Sequence, residues 1–312
     1  PARVPLGALA GFRFRWQGRL RHRPPAAVLR LLAKRDRHVP VDRDFHGWVA
    51  AAYGEQAATA AANLLGVATF DADPGRLSAA FAWERLLRVF GQLPPAARYP
   101  IGGWGAMVAR MQARARQLGV VIQLGARVER LPDPPVIVAT SLEAARRLLG
   151  DDTLRWDSGR AVLLDVGLRR RRGDAFVISD LDEAGWAERF TAPDPTLAPP
   201  GHSLVQAQLP LRPGEGGPDG LRRLERLLEL GYPGWRERLL WRRHGMANGR
   251  TGALDLPGRS WRDRPAVDRG EGVFLAGDMV AAPGLLSEVA FHSALDASRG
   301  ALRLTRPAIR TP

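Results

Sequence analysis

The chain has 312 residues, 45% hydrophobic and 25% charged, which leaves room for one large or two moderate globular domains with a sizeable core. No run approaches the ~18 consecutive apolar residues of a membrane span and no charged-then-apolar leader opens the chain, so a cytoplasmic location is expected. The lack of cysteine excludes disulfides, thiolate metal sites and a cysteine nucleophile, six scattered histidines show no ligand spacing, and the net charge of +14 rests on arginine, with Lys34 the only lysine.

Residues 1 to about 98 read as mainly helical, with Val28 to Leu32, Phe45 to Tyr53 and the Ala-rich Gln56 to Leu65 as candidates. Asp73-Pro74-Gly75 marks a turn, and Ser78 precedes a helical face made of Phe81, Leu86, Leu87 and Phe90. The basic stretch Arg13 to Arg37 and the run Arg169 to Arg172 have no zinc-finger spacing or RNP-like aromatic pattern beside them. A nucleic-acid partner is therefore not expected. Solvated surface arginines are the plain reading, and peripheral contact with an anionic membrane surface is the alternative.

A Gly-rich turn, Gly102-Gly103-Trp104-Gly105, leads into a helix from about Ala106 to Leu118, which Gly119 ends. Strands follow at Val120 to Leu124 and Ala126 to Leu131, then the apolar run Pro134 to Thr140 and an Arg-rich helix from Leu142 to Leu149. That alternation predicts a parallel sheet with crossover helices. From Ala161 the segments AVLLDVGL, AFVISD and HSLVQAQLPL predict an antiparallel sheet. Helices at Gly220 to Leu230 and near Trp235 to Trp241 come next, with NGRTGALDLPGRSW as a loop.

The segment GVFLAGDMVAAPGLLSEVAFHSALDAS, Gly272 to Ser298, carries the strongest local signal. Val273 to Ala276 reads as a strand covered on both faces and ends in Gly277 and Asp278. After the small residues Val280 to Gly284, apolar positions 286, 289, 290 and 294 mark an amphipathic helix with Ser287 near its start. A carboxylate between a core strand and a helix needs a use.

Taken with YPIGGWGAMVARMQARARQLGVVIQLGARVERL, this segment resembles the FAD-dependent amine oxidase, protoporphyrinogen oxidase and phytoene desaturase superfamily over most of Val41 to Leu302, with the desaturase-like branch most similar. The resemblance implies an α/β fold: an FAD-binding Rossmann-like parallel sheet with an inserted antiparallel-sheet and helical substrate domain. In this division residues 1–98 are the helical part of the substrate domain, 99–150 with 267–305 the discontinuous FAD-binding domain, and 151–266 the antiparallel part. The resemblance further implies that Gly277 lets the backbone approach FAD and Asp278 accepts a ribityl hydroxyl. Backbone N–H groups of Leu286, Ser287, Glu288 and Val289 would face the pyrimidine edge of the flavin. Val128 would recognise the adenine end, and Gly103, Trp104 and Ala106 would line a substrate cavity poor in charge. His292 is read as a packed or surface histidine, and no catalytic acid or base is nominated.

The implied reaction moves hydride from an apolar substrate to flavin N5, the flavin being reoxidised by oxygen, a quinone or another acceptor. Three features depart from the superfamily pattern. No G-x-G-x-x-G with an acidic ribose binder occurs, so the chain reads as the family without its first βαβ unit and is expected to hold FAD weakly. Only Pro132-Asp133 separates VERL from PPVIVAT, where relatives insert a hairpin, and Lys34 cannot be matched to the amine oxidase lysine near N5. The alternative function is a non-catalytic binder of lipids or partners on the same architecture, as in Rab GDP-dissociation inhibitors, or an inactive homologue.

Overall fold

The computed structural model describes residues 1–3, 6–34, 38–91 and 97–305. The end of the basic stretch, Arg35 to Arg37, lies outside the described residues. The N-terminal part contains β1 (Ala2–Arg3), α1 (Leu6–Leu9), β2 (Phe12–Trp16), β3 (Arg19–Arg21) and α2 (Ala26–Lys34). Helices α3 (Phe45–Tyr53), α4 (Glu55–Leu64), α5 (Gly66–Thr69) and α6 (Ala79–Phe90) follow. Asp44 caps α3, its carboxylate accepting the Gly47 N–H at 2.7 Å. Val28, Leu31, Phe45, Val49, Trp83 and Leu86 pack these helices into one apolar cluster.

The first hundred residues are mainly helical, as expected, and β2 and β3 add a hairpin that the sequence reading did not include. Phe12, Phe14 and Trp16 alternate with arginines, and Gln17-Gly18 turns the chain with φ of 52° and 70°. Two successive positive φ values are the requirement of a tight hairpin, which glycine eases at the second position. Both turn N–H groups donate to the Asp182 carboxylate, at 2.8 and 2.9 Å.

Beyond β4 (Arg98–Tyr99) come α7 (Gly103–Gln117), β5 (Val136–Val138) and α8 (Leu142–Leu149). The strands expected at Val120 to Leu124 and Ala126 to Leu131 are not formed. Among the described residues nothing pairs with this stretch, so its side chains lie open: Val121 is 81%, Leu124 82% and Val128 58% exposed. An extended segment without a neighbour cannot complete a ladder. Val108 and Met111 of α7 are exposed as well.

The central sheet has seven strands in the order β10-β6-β9-β8-β7-β2-β3. Its members are β6 (Ser158–Arg169), β7 (Val177–Asp180), β8 (Trp186–Arg189), β9 (His202–Pro210) and β10 (Leu239–Ala253), together with the first hairpin. All pairs are antiparallel except β2 with β7. One face of β6 and β9, carrying Leu164, Val166, Leu168 and Val205, is covered by Leu224, Leu227 and Leu228 of α9 (Gly217–Gly231). The opposite face carries Asp165, Gln206 and Gln208, and Gln208 is buried there, its amide donating to the Gly66 carbonyl oxygen of α5 at 3.4 Å.

β10 replaces both the helix expected near Trp235 to Trp241 and the first part of the expected loop. It is an edge strand whose charged residues pair across to β6, Arg243 lying opposite Asp165 and bonding it at 3.0 Å through Nε. Edge strands carry such charges, which erase the apolar alternation that identifies an inner strand. A second, parallel ladder joins β5 to β11 (Val273–Leu275), Ile137 standing opposite Phe274. α10 (Ser287–Thr305) packs on β11 through Ala297. Among the described residues no helix is long and apolar enough to cross a membrane.

Candidate cofactor site

β5 and β11 run parallel, so their carboxyl ends open on the same side, where open α/β sheets bind ligands. A cavity of about 520 Å³ lies there, lined by Val138 to Leu142 after β5 and by Leu275 to Val280 after β11. Gly249 and Arg250 of β10 and Ala290 of α10 close its sides. Gly277 and Asp278 both line this cavity.

The Gly277 peptide is held on both sides by one residue. Ser293, fully buried in α10, accepts the Gly277 N–H at 3.0 Å, and its hydroxyl lies 3.0 Å from both the Gly277 and the Ala290 carbonyl oxygens. A Cβ built on Gly277 meets no atom within 4 Å. The glycine is therefore not demanded by packing; it keeps the cavity wall flat. The half-buried Asp278 carboxylate accepts no hydrogen bond from another described residue, and burial raises it above its ordinary range against the pull of Arg264. Its carbonyl accepts the Ala253 N–H at 3.2 Å, which ties the end of β10 to the exit of β11. Gly252, at φ 87°, lies beside the same residue: a Cβ there would stand 3.3 Å from the Leu286 side chain and 3.9 Å from the Asp278 carboxylate.

The start of α10 is arranged differently from expectation. Glu288 and Val289 donate their N–H groups to the Leu285 and Leu286 carbonyls, at 3.0 and 3.1 Å. Glu288 also turns its carboxylate back to the Leu285 N–H at 3.0 Å and pairs with Arg88 of α6. Of the N–H groups assigned to a ligand, those of Glu288 and Val289 are thus taken, and those of Leu286 and Ser287 carry no hydrogen bond among the described residues. Val289 is a buried anchor of α10, Leu286 is half-buried with φ 51°, and Ser287 is exposed.

The other predicted site residues lie apart from this cavity. Val128 is exposed and outside any strand. Trp104 is 61% exposed and lines neither this cavity nor the one described next. The Gly102 turn instead docks through its N–H on the buried Asp194 carboxylate at 2.8 Å, with Gly103 close to Leu197 and Ala106 half-buried. His292 is half-buried, with its Nδ1 at 2.9 Å from the Pro283 carbonyl oxygen.

A second cavity, about 540 Å³, lies on that opposite face of the seven-stranded sheet. Its aromatic lining, Phe70, Trp186 and Phe190, surrounds polar groups, Asp165 with its partner Arg243, Glu188, Gln206 and His244, so it carries more charge than the expected substrate cavity. The buried Glu188 accepts bonds from the Tyr99 hydroxyl and, at 3.1 Å, from Trp186 Nε1, and burial raises its pKa above the ordinary carboxylate range despite both donors. Sequence reasoning missed Ser293, Gly252, Arg250 and Glu188. A serine in the middle of an amphipathic helix, spaced to bond a carbonyl three residues back, was the one local signal available; the others depend on β10 and β8 reaching the site.

The fold is shared with solved structures of low sequence identity. An oxidoreductase from Methanosarcina mazei aligns with a TM-score of 0.67 at 14% identity, over 88% of this chain and 71% of that one. Cyclohexylamine oxidase from Brevibacterium oxydans aligns with a TM-score of 0.65 at 12% identity, over 94% and 81% of the two chains. A reduced UDP-galactopyranose mutase gives 0.60 at 11% identity, over 86% and 71%. No family model matches the chain, and no curated protein matches it in sequence.

Proposed function

We propose that the protein is an FAD-dependent oxidoreductase whose cofactor is held at the carboxyl ends of β5 and β11. The observation that carries this reading is the half-buried Asp278 carboxylate, without a donor from any other described residue, facing a 520 Å³ cavity beside a glycine that packing does not require. A carboxylate acceptor suits a polyhydroxylated chain such as the ribityl group, since each hydroxyl can donate to it. The flat wall at Gly277 suits a planar ring approaching the backbone. The residues at the flavin end therefore fit the group. FAD, when bound, supplies a hydride acceptor that no side chain provides.

The chain's own residues bind, orient and exclude water. Asp278 orients the cofactor, Ser293 fixes the peptide against which it lies, and the first turn of α10 presents the positive end of a helix dipole near the cavity. Arg250, exposed on the cavity edge, adds positive charge for the diphosphate. In this reading the substrate occupies the second cavity, whose aromatic walls suit an apolar body and whose Glu188 and Gln206 suit a polar end. Hydride transfer from a substrate C–H, of the desaturase or amine oxidase kind, is the reaction proposed.

The test is titration of FAD into the protein, followed by quenching of flavin fluorescence. Saturable quenching is expected, with Asp278→Ala weakening it by about 10- to 150-fold, the equivalent of a charge-assisted hydrogen bond of ~1.5–3 kcal/mol. Identical titrations of the two proteins would remove the assignment.

A further inference from the structure

A third cavity, about 150 Å³, lies between α6 and the chain that follows β10. It is well below the size of a nucleotide site. Arg85 enters it from α6 and is only 4% exposed. Its guanidinium stacks on Phe81, 3.2 Å from the ring centroid, and Nη1 donates to the Phe81 carbonyl oxygen at 3.1 Å. No carboxylate bonds to it among the described residues. Asp255, whose field favours its charge, is already engaged by Arg264 through Nε at 2.9 Å and Nη2 at 2.7 Å, and by Trp156 Nε1 at 3.1 Å.

Arg264 is equally enclosed, and its remaining Nη1 is buried without a hydrogen bond. Two buried guanidinium groups thus lie near one carboxylate, which bonds Arg264 and not Arg85. Arg259, Arg262 and Glu84 also line the cavity, all three exposed, and Glu84 pairs with Arg88 at 3.1 Å. Burial and then the neighbouring Arg264 push the Arg85 guanidinium down to about 9, as an uncompensated cation requires. A buried charge without a partner is costly, and removing such a charge commonly stabilises a fold. Its retention points to a ligand that neutralises it.

We propose that this cavity binds a small oxyanion, a phosphate or carboxylate group, between Arg85 and the free Nη1 of Arg264, at a site separate from the Gly277–Asp278 cavity. Guanidinium groups match both anions because their forked donors meet two oxygens at once. The anion is either a free ion or the charged end of a larger molecule whose remainder leaves through the exposed Arg259 side.

The experiment is calorimetric titration of the intact chain in chloride buffer, first with inorganic phosphate and then with acetate, each repeated with saturating FAD. One saturable site is expected for at least one anion, unchanged by FAD. Arg85→Met should weaken it at least tenfold, Arg85→Lys should retain part of it, and Arg172→Ala, at an exposed position away from the cavity, should leave it unchanged. Melting curves confirm that each variant is folded. Absence of saturable binding by both anions, equal binding by wild type and Arg85→Met, or displacement of the anion by FAD would each overturn the proposal. The anion titration without FAD is read first, so its outcome is independent of the flavin reading.

Discussion

Replacing Gly300 by alanine tests how α10 is seated against β11, the contact that places Ser293 over the Gly277 peptide. Two effects oppose each other. A glycine in a helix interior costs about 1 kcal/mol relative to alanine, so propensity alone predicts stabilisation. Packing predicts the reverse, because a Cβ at this position would stand 2.3, 2.7 and 3.0 Å from Cε1, Cζ and Cδ1 of Phe274. Comfortable carbon contacts need ~3.5–4.0 Å, so ring or helix must move by about 1 Å. Phe274 is 4% exposed and fixed in the β5–β11 ladder, which leaves the ring little room to yield. Overpacking of this kind costs ~1–3 kcal/mol, and after the propensity gain a net loss of up to about 2 kcal/mol remains. In a chain of this size that lowers Tm by up to about 6 °C. The assay is thermal unfolding followed by circular dichroism, extended to Phe274→Leu and the double variant. The shortened side chain should relieve the clash, giving a favourable coupling of ~0.5–2 kcal/mol. A Tm for Gly300→Ala equal to or above wild type, with no coupling, would refute the packing argument.

Arg85→Met should raise Tm in oxyanion-free buffer by the equivalent of ~1–3 kcal/mol, because it removes an unpaired buried cation while keeping an apolar side chain of similar length; a loss of stability would show that the Phe81 stack outweighs the charge. The Asp180 carboxyl, fully buried, is pushed by burial from 3.8 to about 6 against the attraction of Arg15. A raised folded-state value means that its stabilising contribution is complete below about pH 3.8 and is lost as pH rises through about 6. The wild-type stability relative to Asp180→Asn should therefore fall across that window in pH-dependent melts, and a flat or rising difference would contradict the sign. Tyr99→Phe should cost ~1–2 kcal/mol by leaving buried Glu188 with Trp186 as its remaining donor, read as a shift in the urea midpoint; an unchanged midpoint would show that the bond contributes nothing net.

Legibility in the sequence follows where local chemistry and tertiary context agree. α3 runs over Phe45–Tyr53 as its spacing predicts, and the β5–α8 and β11–α10 units appear where the apolar runs Pro134 to Thr140 and Val273 to Ala276 are followed by helical spacing. The parallel pairing of segments more than a hundred residues apart follows from both being short apolar runs that only a covered sheet can use. β10 was hidden because an edge strand bonded through Arg243 to Asp165 looks like a polar loop. The first hairpin was hidden by its arginines, although Phe12, Phe14 and Trp16 keep the period of two. Residues 120–131 have strand composition but no neighbour among the described residues, and composition cannot supply one. At the candidate site, the position of Gly277 and Asp278 between strand and helix was legible, and both line the cavity. Ser293, Gly252 and Arg264 were not, because each acts on them from another element.

The central claim is that the cavity beside Gly277 and Asp278 holds the flavin, and Gly277→Val tests it most directly. The backbone at this glycine is not in the left-handed region and a Cβ there touches nothing within 4 Å, so the fold should tolerate the change within ~0.5 kcal/mol. The added methyl groups must then project into the cavity. Equilibrium dialysis of FAD against the two proteins should show affinity reduced at least tenfold in the variant, with the melting curves nearly superimposed. FAD bound equally well by both would contradict the account, since a planar ring against that wall could not share the space with a valine.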